Sequence, residues 1–483
     1  MEPYLVCESQ DPYHGRERVL ERLIHCIWSE QLFRRQLRLD GATLSISSPG
    51  WWNLEAGPDF RNAELFVDGN RICGDVEIHL SSGEWYQHKH HQDPRYNQVV
   101  LHVVLYSTGS ECIKQNGESV PELELKDSLM EELRLLQARL PVHQFPFHSG
   151  GQIHLCRRFL EEHDDDSIIK ILDSAGDLRM RRKKERYLTA LRKTNFNQAF
   201  YEGMMEGMGY KQSRYAFREL AQRIPIEELV GYDFPGRRGT DSMAAILLGT
   251  AGLLEELSQI RLTPEDPETS FYLEELFQYW QKYEARFKSR TLTGFCWYPS
   301  STRPANFPAR RLTAVASFFH YHGTQLIPLL LHPLGDQEPS PRVIREILKI
   351  WNSLFSRPNH LYWSYHYQFD CHKFTAPRRL IGKDRGRILI VNVVLPLLLA
   401  HAELSVQRPL EDTLHAIYRR HPKLPPNSIT RLMEHRMFGT PDRVKAFIDT
   451  AHRQQSLHHF FYDFCDNRDA SCSRCEFNPK RGK

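Results

Sequence analysis

The chain has 483 residues, of which 41% are hydrophobic, 25% charged and 11% aromatic. This composition is typical of a globular protein with a sizeable core, and the length predicts two or three domains. The formal net charge is only +3, which excludes a polycationic chain, so any nucleic-acid surface must be a local patch.

The sequence predicts no membrane-spanning segment. No run of about 18 apolar residues occurs, and the most apolar stretch, residues 388–402, contains Asn392 and Pro396 and predicts a buried element. Residues 1–11 are acidic and lack the basic and apolar regions of a signal peptide. We therefore expect a cytoplasmic protein whose 10 cysteines are reduced thiols or metal ligands.

Residues 1–140 predict an α+β domain. Residues 16–37 place apolar side chains at helical spacing and predict a helix. Strand patterns follow at the positions 44–48, 64–67, 74–80 and 99–106. A short helix is expected before the last of these strands, and residues 123–140 predict a further helix. The expected architecture is a mixed sheet flanked by helices.

The rest of the chain predicts a different architecture. Residues 141–155 are rich in Pro, Gly, His and Ser and predict a linker. Residues 156–483 carry helical spacing over most of their length, which predicts a large, mainly helical region. This region is one domain or two, and the fold class of the whole chain is α+β.

The strand at residues 74–80 has an unusual polar face. Alternation puts Asp75, Glu77 and His79 on one face and three aliphatic side chains on the other. Charged groups aligned on one face of a strand are costly unless they bind something or face water. The pattern therefore indicates a site that binds an ion or acts as an acid and base.

Further donor groups flank this strand in the sequence. Asp59 lies at a turn just before a strand, and His88, His90 and Asp93 follow within one short loop. Carboxylates with imidazoles suit Mg²⁺, Mn²⁺ or Zn²⁺. The alternatives are a solvated histidine loop and, for His102 inside the apolar strand, a core residue with one hydrogen bond.

This order of residues resembles the PD-(D/E)XK nuclease superfamily. The resemblance implies that Asp59 and Glu77 hold Mg²⁺ or Mn²⁺ at a scissile phosphate, with His79 where the family has a lysine. His79 would then orient or deprotonate the attacking water. Accessory roles, as an outer ligand or as the lining of the site, fall to Glu21, His88, His90 and Asp93. For Glu21, an exposed helix carboxylate is the alternative.

A second resemblance spans nearly the whole chain. The strings GPDF, GDVEIH, VVLHVV, RPANFPARRL and VNVVLP are similar to those of a bacterial protein family known as DUF2851. The family name supplies no function. The resemblance therefore supports the architecture and leaves the chemistry open.

Cysteines near the C-terminus predict a second metal site. Cys465, Cys472 and Cys475 are close in sequence, and Cys156, beside the predicted linker, is the candidate fourth ligand. Four thiolates bind Zn²⁺ or an iron–sulfur cluster. The alternative is three reduced thiols on the C-terminal tail.

Basic residues in the helical region predict contacts to DNA or RNA. Residues 179–193 contain eight basic residues and one acidic residue, as in a helix that follows a phosphate backbone. A Pro-bounded turn opens a later helix, whose N-terminus can hold an anion. The candidate contacts are Arg181, Arg182, Lys183, Lys184, Arg303 and Arg310. The alternatives are a solvated helix and a loop that locks domains together.

Three functions fit the sequence. The first is a Mg²⁺- or Mn²⁺-dependent nuclease. The second is a catalytically degenerate nuclease fold that binds nucleic acid or acts as a scaffold, with His79 marking lost catalysis. The third is a zinc hydrolase of another class that uses His79, His88, His90 and Asp93. The sequence has no phosphate loop, dinucleotide fingerprint or nucleophile elbow, and it indicates no particular protein partner.

Overall fold

The structure is a computed structural model. It describes residues 20–34, 37–53, 56–140, 142, 145, 155–232, 238–255, 267–292, 297, 306–335, 338–356, 360–369, 373–465 and 475–477. The chain divides into two compact units. Unit 1 comprises residues 1–171, 426–446 and 457–483, and unit 2 comprises residues 172–425 and 447–456. The predicted linker at 141–155 lies mostly outside the described residues, so its boundaries stay a prediction.

Unit 1 contains a mixed seven-stranded sheet and a small hairpin. The strands are β1 (Leu37–Leu39), β2 (Ala42–Ser48), β3 (Trp51–Trp52), β4 (Phe60–Val67), β5 (Asn70–Ser81), β6 (Val99–Tyr106), β7 (Cys112–Ile113), β8 (Ser119–Val120) and β9 (Glu122–Glu124). The order in the sheet is β1-β2-β4-β5-β6-β9, with β3 paired to β4, while β7 and β8 form the hairpin. Strands β5, β6 and β9 run parallel, and the other pairs are antiparallel.

The predicted mixed α+β class is confirmed, with corrections at two element ends. All four predicted strands exist, and the last has the predicted bounds, Val99–Tyr106. The first helix covers only Glu21–Glu30 among the described residues, and Leu37 belongs to β1 instead of that helix. The segment predicted as a helix over 123–140 begins as β9 and becomes helical only at Leu133–Arg139. Strand pairing overrides local helical propensity here.

Helices make up most of the rest of the described chain. They are α1 (Glu21–Glu30), α2 (Glu84–Gln87), α3 (Leu133–Arg139), α4 (Leu155–Glu162), α5 (Asp165–Leu191), α6 (Phe196–Met208), α7 (Tyr210–Arg223), α8 (Ile226–Val230), α9 (Arg238–Thr250), α10 (Pro267–Phe287), α11 (Pro308–His322), α12 (Leu326–Leu331), α13 (Pro341–Ser356), α14 (Lys383–Leu389), α15 (Leu395–Leu404), α16 (Arg408–Arg420), α17 (Ser428–Phe438), α18 (Pro441–Phe447) and α19 (Ala451–Phe460). The mainly helical region expected from the sequence is thus confirmed.

The second half of strand β5, from Gly74 to His79, is buried on both faces. Its aliphatic face, with Val76 and Ile78, joins a core formed with α1 and β6. The opposite face carries Asp75, Glu77 and His79, which are 3%, 4% and 1% exposed. The polar face predicted by alternation therefore lies in the interior of unit 1 instead of facing water.

Gly74 allows β5 and β6 to approach closely at the base of this polar face. A Cβ atom at Gly74 would overlap Val100 and lie 2.9 Å from the carbonyl oxygen of Gln98. We expect Gly74→Ala to lower the unfolding free energy by about 1–3 kcal/mol, because backbone must move. Chemical denaturation would measure this. Gly83→Ala is the matched control, since nothing lies within 4 Å of its Cβ position; equal stability of the two variants would contradict the prediction.

Segments distant in sequence close unit 1. The guanidinium of Arg157 on α4 donates to the carbonyl oxygen of His435 at 2.7 Å, and Arg443 donates to that of Leu160 at 2.8 Å. Arg436 on α17 lies 3.7 Å from the ring centroid of Trp51, which is a cation–π contact. Residues after 425 therefore complete the unit that the sheet begins.

Unit 2 has a helical core of aliphatic and aromatic side chains. Its most apolar element runs over Lys383–Leu404 and is interrupted by a π-helical turn at Ile390–Val394. By length and composition this stretch resembles a membrane span, but 67% of its apolar window is buried inside the protein. Such burial is typical of the core helix of a soluble protein, so the predicted buried element is confirmed. A cytoplasmic location stays a prediction.

Candidate metal centre

Three parallel strands place polar side chains at one level of the sheet. Glu77 on β5 is the register partner of His102 on β6, and His102 is the partner of Glu122 on β9. His79 lies two residues after Glu77 and shares its face. The sheet thus aligns four donor residues that are separated by up to 45 positions in the sequence.

A short helical segment covers this row. Helix α2 and two helical turns, at His90–Gln92 and Pro94–Gln98, carry the loop histidines. The ring of His90 stacks on Tyr96 at 3.9 Å between centroids, and on His79 at 5.2 Å. Trp85 packs edge-on against His90 and donates its indole N–H to the carbonyl oxygen of Ile113. These contacts fix His90 above the strand.

Three imidazole nitrogens converge between the strand and its cover, and a carboxylate oxygen of Glu77 lies beside two of them. His79 Nε2 lies 3.1 Å from His88 Nδ1 and 3.3 Å from His90 Nε2. Glu77 Oε1 lies 3.0 Å from His90 Nε2 and 3.5 Å from His79 Nε2. A tetrahedral zinc ion about 2.0–2.1 Å from its ligands sets neighbouring ligand atoms about 3.3–3.4 Å apart. The donor set therefore fits a zinc-sized cation, and exposed His88 leaves the site open to solvent.

A hydrogen-bonded chain orients the ring of His79. His79 Nδ1 lies 2.8 Å from His102 Nε2, and His102 Nδ1 lies 3.0 Å from Glu122 Oε2. Because the Glu122 carboxylate only accepts, His102 carries its proton on Nδ1 and accepts at Nε2. His79 then donates from Nδ1 and keeps a lone pair on Nε2. We name this chain the relay; it turns the His79 lone pair toward the other three donors.

The protonation states suit metal binding. Burial, together with the neighbouring histidines, lowers the pKa of His79 well below its usual value. Burial lowers the pKa of His90 to about 4. Burial raises the pKa of Glu122, but hydrogen bonds from His102, Ser107 and Ser82 outweigh it and hold that pKa below its usual value. Neutral imidazoles at neutral pH are the form that binds a cation.

Asp59 lies beside Glu77 within an acidic cluster, and their predicted role as joint ligands of Mg²⁺ or Mn²⁺ stays a prediction. The amide of Asp59 donates to Glu77 Oε2 at 3.0 Å, and Asp59 Oδ2 accepts from the amide of Ile78 at 2.9 Å. His25 Nε2 lies 3.3 Å from Asp59 Oδ2 and 3.7 Å from Glu21 Oε1. Burial raises the pKa of Glu21 to about 7. Burial and the Asp59 charge raise the pKa of Glu77 well above its usual value.

Asp93 has a different environment from the loop histidines. It precedes the turn at Pro94–Gln98 and accepts from the backbone amide of Arg95 at 3.0 Å. The Arg95 guanidinium also pairs with it, and this hydrogen bonding lowers its pKa. Asp93 thus caps the turn that follows His90. The convergent group among the described residues consists of His79, His88 and His90.

Sequence reasoning missed four members of the site. His25, Cys112 and Glu122 were not singled out, and His102 was expected to make one hydrogen bond. In the structure His102 is fully buried and has neighbours at both ring nitrogens: His79 at Nε2, and Glu122 and Cys112 at Nδ1. The sequence signal that could have identified His102 as part of the site was a histidine within an apolar strand, together with a second predicted strand that carries alternating polar groups.

The predicted cysteine site lies only partly within the described residues. Cys472 is outside them, whereas Cys156 and Cys465 are half-buried and Cys475 is buried. Phe477 contacts Phe159 on α4 and Phe460 on α19, with ring centroids 5.5 and 4.6 Å apart. The segments that carry the described cysteines therefore meet within unit 1, and metal binding there stays a prediction.

The predicted nucleic-acid residues occupy varied environments. Arg181 and Arg182 are exposed, and Lys184 pairs with Glu403 at 2.5 Å. Half-buried Lys183 donates to the side-chain oxygens of Asn392 and Gln455 at 2.6 Å each. Its amine therefore faces the interior of unit 2 in this structure. Exposed arginines remain the part of this helix available to a phosphate backbone.

Arg310 is 2% exposed, and its guanidinium donates to the carbonyl oxygens of Trp363, Leu380 and Arg379 at 3.1–3.4 Å. These contacts satisfy backbone groups inside unit 2. Arg303 lies outside the described residues. The environment of Arg310 indicates a structural role.

A cavity of about 680 Å³ in unit 2 includes Arg181 and Lys184 in its lining. It is bounded by α5, α15 and α16, and its other charged residues include Asp177, Asp412 and Arg419. Arg419 pairs with Asp177 at 2.8 Å. The carboxylates in the lining of this cavity thus compensate part of the positive charge of its basic residues.

Comparison with known proteins identifies one family. The family profile described as "Protein of unknown function (DUF2851)" matches residues 21–424. No curated protein and no solved structure matches the chain. The matched range includes all the residues of the metal centre described above.

Proposed function

The chain belongs to the DUF2851 family, and from its buried donor cluster we propose that it is a metal-dependent hydrolase of phosphodiesters. The observation that carries the proposal is the convergence of ring nitrogens of His79, His88 and His90 within 4.8 Å of one another. Glu77 Oε1 lies 3.0 Å from His90 Nε2 and 3.5 Å from His79 Nε2. Three nitrogen donors and one carboxylate favour Zn²⁺ or Mn²⁺ over Mg²⁺. This modifies the nuclease hypothesis in its choice of metal and ligands.

The energetics of burial support a bound cation. Glu77, His79 and His90 are buried, and Glu77 contacts two imidazoles that are neutral at neutral pH. Without a cation, burial and the Asp59 charge favour the protonated form of Glu77 by raising its pKa. A divalent cation between these groups would stabilise the Glu77 carboxylate and bind the lone pairs of the imidazoles.

The surrounding residues supply the remaining chemistry. A cation held by His79, His88 and His90 would supply Lewis-acid chemistry for the hydrolysis of a phosphodiester. The relay keeps the His79 lone pair on the ligand side. Glu21, whose pKa of about 7 is set by burial, accepts and returns a proton near neutral pH. The Asp59 carboxylate contacts His25, which also lies beside Glu21. The backbone amide of Asp59 donates a hydrogen bond to the Glu77 carboxylate.

The choice of phosphodiester substrates rests on the arrangement of Asp59, Glu77 and His79. Asp59 precedes β4, and Glu77 and His79 lie on antiparallel β5, which is followed by a short helix and parallel β6. This arrangement agrees with what the resemblance to PD-(D/E)XK nucleases implies. Nucleic acid, DNA or RNA, is therefore the substrate class that we propose.

A second candidate is binding of nucleic acid without cleavage. The low pKa of His79 keeps its ring neutral, so it does not supply the positive charge of the lysine that it replaces. A degenerate nuclease fold would retain the acidic pair and lose turnover. The two candidates differ in whether a metal-dependent reaction occurs.

The deciding experiment measures cleavage of bis(p-nitrophenyl) phosphate and of single- and double-stranded DNA and RNA with Zn²⁺, Mn²⁺ or Mg²⁺. We expect metal-dependent cleavage by the native protein and a loss of at least about 100-fold in Glu77→Gln and His88→Ala. His91→Ala is the matched control, because His91 belongs to the same loop and lies outside the convergent group. Equal rates in all four proteins would contradict the proposed site.

A folded native protein that binds these metals and nucleic acid but cleaves nothing would instead establish the second candidate. Circular dichroism and the melting temperature of each variant show whether it is folded. A cleavage rate that falls equally in His91→Ala would show damage to the loop instead of loss of a ligand.

A further inference from the structure

We propose that His102, Cys112 and Glu122 form a second metal site, suited to Zn²⁺ or another cation that prefers sulfur and nitrogen. Their donor atoms lie within 4.8 Å of one another. Cys112 Sγ lies 3.3 Å from His102 Nδ1 and 4.0 Å from Glu122 Oε2, and His102 Nδ1 lies 3.0 Å from Glu122 Oε2. This site concerns metal binding and does not depend on hydrolysis at the first site.

These distances agree with tetrahedral coordination. Zinc lies about 2.3 Å from sulfur and about 2.0–2.1 Å from nitrogen, which sets sulfur and nitrogen about 3.5 Å apart around one ion. The observed separations of 3.0–4.0 Å bracket this value. A thiolate in the set selects zinc-like cations and disfavours Mg²⁺, which prefers oxygen.

The fold presents the three side chains to one point. Cys112 on β7 is the register partner of Val120 on β8, two residues before Glu122. Glu122 Oε1 accepts from the hydroxyls of Ser82 at 2.8 Å and Ser107 at 2.6 Å, which leaves Oε2 directed at His102 and Cys112. Carboxylate ligands of metals are commonly anchored in this way by second hydrogen bonds.

The surroundings exclude water and hold the rings. His102 is 0% and Cys112 1% exposed, and Trp85 lies 5.3 Å from the His102 ring. A cation bound here would stabilise the Cys112 thiolate, and the thiol proton would be released to solvent on binding.

The two metal sites are coupled through the hydrogen bond between His79 and His102. In the relay, the proton of His102 is on Nδ1 and that of His79 is on Nδ1, which frees His79 Nε2 for the first site. A cation on His102 Nδ1 moves the His102 proton to Nε2, where it is donated to His79 Nδ1. The His79 proton then occupies Nε2, so with neutral imidazoles each site weakens the other.

Cobalt binding tests the site directly, because a thiolate bound to Co²⁺ gives a near-ultraviolet charge-transfer band. We expect this band when Co²⁺ is added to the native metal-free protein, and we expect Cys112→Ser to remove the contribution of this site. Cys73→Ser is the matched control, since Cys73 is an exposed thiol on β5. A variant with Cys465, Cys472 and Cys475 all changed to Ser removes any contribution of the C-terminal thiols to the band. This variant should retain the contribution that depends on Cys112.

A band of equal intensity in the native protein and in Cys112→Ser would overturn the second site, as would the absence of any band. Zinc-edge X-ray absorption of the triple variant provides a measurement without cobalt, and a shell free of sulfur would also overturn the site. His88→Ala tests the coupling. Weakening the first site should increase the Cys112-dependent band at substoichiometric Co²⁺, and an unchanged band would refute the coupling.

Discussion

Zinc added to the metal-free protein should raise the melting temperature of unit 1. At a free concentration about 100 times its dissociation constant, a ligand that binds only the folded state stabilises it by about 2.7 kcal/mol. For a unit of this size the melting temperature then rises by about 5 °C. Differential scanning calorimetry measures the shift. In a Cys112→Ser background, which lacks the second proposed site, His90→Ala should remove most of the shift because a buried ligand is lost.

The zinc result separates metal binding from catalysis. His91→Ala should show the native shift, which excludes a general effect of changing the loop. The variant with serine at 465, 472 and 475 reports any stabilisation from the C-terminal cysteines. If zinc stabilises the double variant with Cys112→Ser and His90→Ala as much as Cys112→Ser alone, the His79, His88 and His90 cluster does not bind zinc.

Arg310→Met should destabilise unit 2 by about 2–4 kcal/mol, because it leaves the carbonyl oxygens of Trp363 and Arg379 without their charged donor. The third acceptor, the carbonyl oxygen of Leu380, keeps a hydrogen bond from Arg311 at 3.2 Å. Methionine fills a similar volume, so the loss reports hydrogen bonding more than packing. Urea denaturation followed by circular dichroism measures the change in unfolding free energy.

Arg181→Met is the control for Arg310→Met, because Arg181 is exposed on α5 and its loss should change stability by less than about 0.5 kcal/mol. A stable Arg310→Met variant with weakened nucleic-acid binding would refute the structural role and support the phosphate contact expected from the sequence. Loss of stability with unchanged binding by the remaining folded protein supports the buried role.

The polar face of β5 followed from the sequence because alternation is a local property of a strand. Glu77 and His79 could be assigned to one face from their spacing alone. Glu122 could not be joined to them, because parallel pairing of β5, β6 and β9 depends on contacts between distant segments. The residues after Glu122 also have helical propensity, which the pairing of β9 overrides.

Spacing alone also could not separate the loop residues by role. His88, His90 and Asp93 lie close together in the sequence, and histidine and aspartate are both common metal ligands in proteins. The structure distinguishes them because Asp93 accepts from Arg95 while His90 contacts Glu77. Such a distinction requires the direction of each side chain, which depends on the backbone turns at residues 90–98.

The return of the chain to unit 1 after residue 425 affects its folding during synthesis. At about 5–20 residues per second, a ribosome takes about 10–50 s to add residues 172–425. Throughout this interval Trp51 and Arg157 lack the contacts that Arg436 and His435 later provide. The nascent sheet therefore presents uncovered surface to solvent or to chaperones until α17 emerges, and truncated chains would keep that surface exposed.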